Sequence, residues 1–192
     1  MREIVIRRHA YTKKGASRGK GSHISAEGVN LARKVSQEST MGRFAKVFCS
    51  DIPRTLETAI AMGYAVDDAL VAPPGLMEAA MDVVGHHERW SWEYPWQMFA
   101  TYLRSPGPVE NLGTWLRQSW IHVLRTVEDG ERVLGISHGR VIEIGAIACL
   151  PDIPTDEFVN WGDALRHGEG VRLSFADGGF GNPVLLRTHG QD

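Results

Sequence analysis

Short runs of β-branched and apolar residues recur along the chain, and each is followed by a stretch with helical spacing. Ile4-Val5-Ile6 opens the series, Ala45 to Cys49 repeats it, and Arg132 to Ile136 repeats it again. Runs this short and this apolar suit strands buried on both faces. From Ser25, Val29, Leu31, Ala32 and Val35 make an apolar stripe, with Glu27 in the first turn. A second helix is predicted from a Ser50 cap, with Asp51 and Pro53 in its first turn, running through Ala65. Residues 112–128 form a long amphipathic helix, and Val141 to Leu150 another that stops at Pro151. Residues 69–72 read as a third short strand closed by Pro73-Pro74. Val171 to Phe175 and Val184 to Leu186 read as two more, around the turn Asp177-Gly178-Gly179. Residues 75–111 read as an irregular excursion with one helix near 92–103. Strands alternating with helices predict an α/β fold with a mostly parallel central sheet covered on both faces. Such sheets bind ligands beyond the carboxyl ends of their strands.

Composition narrows the class further. The chain has 192 residues, a formal charge of -2 and 43% hydrophobic residues, which suits one domain over residues 1–192 with an insertion at about 75–111. Balanced charge gives no global field for nucleic acid or an anionic membrane, so neither is expected as a partner. Cys49 and Cys149 are too few for a disulfide framework or a four-cysteine zinc site, and each ends an apolar run. Three arginines and a glutamate within the first eight residues do not make a secretory leader. No apolar stretch approaches the roughly 18 residues of a spanning helix. A soluble, cytoplasmic protein is expected.

The three best strands end in Arg8-His9, in Ser50 just ahead of Arg54, and in Ser137-His138-Gly139. Side by side, they would bring two permanent cations with forked donors and two imidazoles to one rim. Helices starting after Ser50 and near His138 would add free N–H groups. This chemistry matches a tetrahedral dianion such as phosphate. Surrounding cations disfavour imidazolium, so a neutral His9 could attack phosphorus and carry it as a phosphohistidine. His138 could donate to the oxygens that gain charge. The leaving alcohol needs a proton. Glu78 is the best-placed donor, with Asp82 and Glu88 as rivals.

Arg8-His9-Ala10, Ser50 with Arg54 and Thr58-Ala59, and Ser137-His138-Gly139 together resemble the histidine phosphatase superfamily, the group of phosphoglycerate mutases and small phosphohistidine phosphatases. Ser25-Ala26-Glu27-Gly28 fits the family's Leu-Thr-x-x-Gly segment. The resemblance spans residues 4 to about 145. It implies a three-layer α/β/α, phosphoglycerate mutase-like fold. It also implies His9 as the phosphorylated nucleophile, a phosphate pocket of Arg8, Arg54 and His138, Glu78 as proton donor, and neither metal nor cofactor. Ala10, Tyr11, Gly15 and Arg140 depart from common family residues, and Arg140 adds a cation after Ser-His-Gly.

Rival readings are weaker. Gly15 to Lys20 imitates a nucleotide-binding loop but has three residues between its glycines, and Gly21 follows the lysine. Lys13, Lys14, Arg18 and Lys20 read as an exposed loop before they read as a steering patch. His86-His87-Glu88 with Asp82 is a poor metal site because adjacent histidines point apart. Trp90, Trp92 and Trp96 are either a roof over the site or packing residues. The expectation is a metal-independent phosphatase acting on a phosphorylated small molecule or phosphoprotein. A mutase-like phosphoryl transfer, or a weakly catalytic phospho-ligand binder, is the alternative.

Overall fold

A computed structural model describes residues 1–14, 22–85 and 93–188. Its centre is a six-stranded sheet of β1 (Arg2–Arg8), β2 (Lys46–Ser50), β3 (Asp68–Leu70), β4 (Arg132–Ser137), β5 (Gly170–Ala176) and β6 (Gly179–Leu186), in the order β3-β2-β4-β1-β5-β6. β3, β2, β4 and β1 run parallel, and β5 runs against β1. The register pairs Arg8 with Ser137, Cys49 with Ile136 and Ser50 with Leu70. The three motif-bearing strand ends are therefore immediate neighbours.

Period-two alternation divides the strand side chains between two cores. On one face Val5, Val47, Cys49, Leu134 and Ile136 pack under α1 (Ala26–Ser36) and α2 (Pro53–Ala61). On the other, Ile4, Ile6, Phe48 and Val133 meet the larger core shared with α3 (Leu76–Val84), α4 (Pro95–Leu103), α5 (Pro108–Leu124) and α6 (Val141–Ala148). This is the expected layering of helix, sheet and helix. Among the described residues, no helix is long and apolar enough to cross a membrane.

Several local expectations are corrected. Residues 75–111 contain α3, α4 and the start of α5 rather than one helix in an irregular excursion. α5 begins at Pro108, where the missing proline N–H costs nothing in a first turn, and ends at Leu124. α2 stops at Ala61, β3 covers residues 68–70, and β6 starts as early as Gly179. A 3-10 helix, Thr155–Trp161, occupies a stretch given no element above. Trp96 is fully buried, its indole N–H donating to the Asp163 carbonyl at 3.0 Å, so it packs the core and does not roof the site. Trp90, Trp92, His86, His87, Glu88, Gly15, Arg18 and Lys20 lie outside the described residues.

The Ser-Ala-Glu-Gly segment has a packing reason. Ser25 caps α1 by accepting from the Gly28 N–H at 3.1 Å, while its own N–H donates to the Tyr11 carbonyl at 2.8 Å. A Cβ at Gly28 would stand 2.2 Å from that carbonyl oxygen, so only glycine lets α1 lie against the loop that follows His9.

Candidate active site

His9 follows the last residue of β1 and is 7% exposed, its N–H bonded to the Ser137 carbonyl at 2.9 Å. Its Nδ1 lies 2.8 Å from the Ala10 carbonyl oxygen. A carbonyl can only accept, so Nδ1 carries the proton and Nε2 carries the lone pair. Arg54 Nε donates to that Nε2 at 3.2 Å. Burial first, then the nearby His138, lowers the His9 pKa to about 2, against the opposing effect of the Ala10 hydrogen bond. The ring is neutral at pH 7.

His138 is wired in the opposite sense. Arg54 Nη2 approaches its Nδ1 at 3.3 Å and can only donate, so Nδ1 accepts. Nε2 then bears the proton and donates to Ser50 Oγ at 2.8 Å. Burial, followed by the charges of Arg54 and Arg8, lowers the His138 pKa to about 3. The two rings meet edge on, 5.2 Å apart.

Ser50 is thus not the helix cap expected from its position. The residue before α2 is Ile52, without a side-chain cap, and Ser50 Oγ is held between His138 and Thr55 Oγ1, 3.0 Å away. Nor does His138 begin a helix: α6 starts at Val141, although the His138 carbonyl accepts from Ile142 N–H at 3.1 Å.

Arg54 sits in the first turn of α2, its Nη1 donating to Ser22 Oγ. Thr58, one turn on, accepts from Ala10 N–H at 3.0 Å and donates to the Arg54 carbonyl at 2.6 Å, tying the His9 loop to that helix. Arg8 Nη1 donates to the Leu165 carbonyl at 2.6 Å, and its Nε is buried without a partner. A Cβ at Gly139 would stand 3.0 Å from three atoms of the Arg8 side chain, so the glycine leaves room for that guanidinium beside the backbone. Arg7 points to the other face and is spent on Glu38 at 2.6 Å and the Gly168 carbonyl at 2.9 Å. Arg8, His9, Arg54 and His138 converge.

The convergence opens on a cavity of about 600 Å³, lined by Ser50, Arg54 and His138 together with Glu78. Glu78 is exposed and lies in the first turn of α3, not in a loop. Asp82, one turn further, does not line the cavity, and Glu88 lies outside the described residues.

A scan against family models matches residues 4–181 to the histidine phosphatase superfamily, branch 1. The chain belongs to that superfamily. No protein of curated function matches it in sequence. A phosphoserine phosphatase of Entamoeba histolytica, solved with 3-phosphoglyceric acid, is 17% identical, with 98% of each chain covered and a TM-score of 0.63. A mycobacterial glucosyl-3-phosphoglycerate phosphatase is 18% identical, with 90% of this chain and 89% of that one covered at 0.59. A putative alpha-ribazole-5'-P phosphatase of Escherichia coli is 14% identical, covering 97% and 98% at 0.61. At these identities the three neighbours speak to the fold.

Against the superfamily pattern, this site holds two residues that strand-end reasoning missed, His167 and Glu143, and a third, Ser50, that it named but assigned to a helix cap. His167 donates from Nδ1 to the His9 carbonyl at 3.0 Å, and its ring lies 5.0 Å from the rings of both His9 and Tyr11. It reaches the site because β5 is antiparallel, so the start of β5 lies at the edge where the parallel strands end. Ser50 orients His138, as described. Glu143 is fully buried on α6. One of its carboxylate oxygens accepts from Leu165 N–H at 2.9 Å and the other is buried without a partner. Burial raises its pKa, against the Leu165 N–H hydrogen bond and, less strongly, the charge of Arg8. A glutamate inside the apolar run Val-Ile-Glu-Ile was the available signal. Arg140 is 94% buried, with a left-handed φ of 69°, and donates to the Gly85 carbonyl at 2.6 Å. It joins α6 to the end of α3.

Proposed function

We propose that the protein is a metal-independent phosphomonoesterase that works through a phosphohistidine on His9. The observation that carries this reading is the His9 tautomer. With Nδ1–H fixed on Ala10, the Nε2 lone pair faces the guanidinium of Arg54 and the ring of His138. A phosphate dianion would draw the donors of Arg8 and Arg54 onto its oxygens, releasing Nε2 to attack. The N–P bond forms as the P–O bond to the alcohol breaks, and the carboxyl group of Glu78 delivers a proton to the leaving oxygen. The resulting Glu78 carboxylate then takes a proton from water, whose oxygen attacks phosphorus and frees His9.

His138 answers the dianion by gaining a proton, since an adjacent anion favours imidazolium. It would then donate from Nδ1 to phosphate while Nε2–H stays on Ser50. Phosphorylated small molecules suit the cavity as substrates, and a cytoplasmic location fits the two buried free thiols. The test is hydrolysis of an aryl phosphate in the presence of EDTA. Wild type should turn over and His9→Ala should fall to background; full activity in His9→Ala would refute the mechanism.

A further inference from the structure

The cavity beside the cationic cup has a chemistry of its own. We propose that it takes the alcohol half of the substrate, and that this half is uncharged and largely apolar, such as an alkyl or aryl group. The inference rests on the phosphomonoesterase reading for what the cup holds, but not for what the cavity holds.

The volume, about 600 Å³, lies within the range of small-ligand pockets, roughly 300–1,000 Å³. Its wall is built by Leu70 of β3, Met77 and Met81 of α3, and Trp115, Leu116 and Trp120 of α5. Met77, Ala80, Met81 and Val84 make one apolar stripe on α3: Ala80 and Val84 are buried in the core, and the half-buried Met77 and Met81, four residues apart, also line the cavity. Methionine also adapts its shape to irregular apolar ligands.

The polar lining argues against a second negative charge on the substrate. Among the described lining residues the permanent cations are Arg54 and Arg140. Arg54 belongs to the phosphate cup, and Arg140 is engaged by the Gly85 carbonyl. Asp51 lines the same space and would repel a carboxylate or a second phosphate. The polar groups of a sugar would also lose water against the wall of Leu70, Met77, Met81, Trp115, Leu116 and Trp120, whose side chains offer few hydrogen bonds in return.

Calorimetric titration of the wild-type chain with ethyl-, butyl-, hexyl- and octylphosphonate reads the wall without needing turnover. Affinity should rise roughly threefold to fourfold per added methylene until the cavity is filled. The phosphonate isostere of phosphoserine should bind more weakly than hexylphosphonate. Met77→Gln and Leu70→Gln, each at a half-buried position, should both reduce the gain per methylene. Affinity independent of chain length, no binding by any of the alkylphosphonates, or tighter binding of the phosphoserine isostere would overturn the proposal. Loss of the hydrolytic reading alone would instead appear as a rising ladder with no turnover of any ester.

Discussion

In the cup, each imidazole has its proton placed by a single acceptor, Ala10 for His9 and Ser50 for His138. The second acceptor is the more easily tested. Ser50→Ala leaves the Nε2–H of His138 without its acceptor as the ring becomes a cation, and a hydrogen bond to a charged group is worth about 1.5–3 kcal/mol. The variant should lose roughly tenfold to a hundredfold in kcat with little change in Tm, measured by steady-state kinetics and a thermal melt. Unchanged kcat would remove Ser50 from the mechanism. Gly139→Ala makes a different demand at the same scale. Its Cβ would press on the Arg8 guanidinium, whose buried Nε has no other place provided for it. Misplacing a phosphate donor by a fraction of an ångström should weaken inhibition by inorganic phosphate on the order of tenfold; inhibition at the wild-type level would contradict the role given to Arg8.

Among the elements, α3 decides most. It carries Glu78 into the cavity, and Arg140 holds its C-terminal carbonyl to the start of α6. If Glu78 protonates the leaving oxygen, Glu78→Gln should slow alkyl phosphates by about 10²–10⁴-fold and aryl phosphates far less, because a phenolate leaves without help. Equal slowing of both series would assign the proton to another group. The same helix was the hardest element to read from sequence. Met77, Ala80, Met81 and Val84 do make a stripe at helical spacing, but it spans only nine residues, and the preceding Pro73-Pro74-Gly75 suggests a turn. β1, β2 and β4 were legible because they are short, β-branched and buried on both faces. The rule that sites lie at strand carboxyl ends found Arg8, His9 and His138. It missed His167 because that residue precedes an antiparallel strand, whose beginning lies at the same edge. Arg54 was legible from the strand-turn-helix pattern, whereas the Ser50 side chain was assigned to a cap it does not make.

For the whole molecule, the site sets how stability responds to acid. In an unfolded chain both histidines titrate near pH 6.5; folded, they titrate at about 2 and 3. Between those limits unfolding takes up protons, so stability is greatest above about pH 6.5 and falls as pH drops toward 3. Each histidine contributes a slope of up to about 1.4 kcal/mol per pH unit well below 6.5. Glu143, whose pKa is raised by burial, works the other way and gains stability as pH falls into its own range. Urea midpoints measured from pH 7 to pH 5 should therefore decline in wild type and decline less in a His9→Asn, His138→Asn double variant. Equal slopes would mean that the two rings are not held neutral by burial.

The central claim is a covalent bond between His9 Nε2 and phosphorus. Mixing the protein with an excess of labelled aryl phosphate and quenching within milliseconds in base should trap label on the chain, stable to alkali, released by acid, and located on the peptide that carries Arg8-His9-Ala10. No trapped label under conditions of rapid turnover, or label that persists in His9→Ala, would contradict the account.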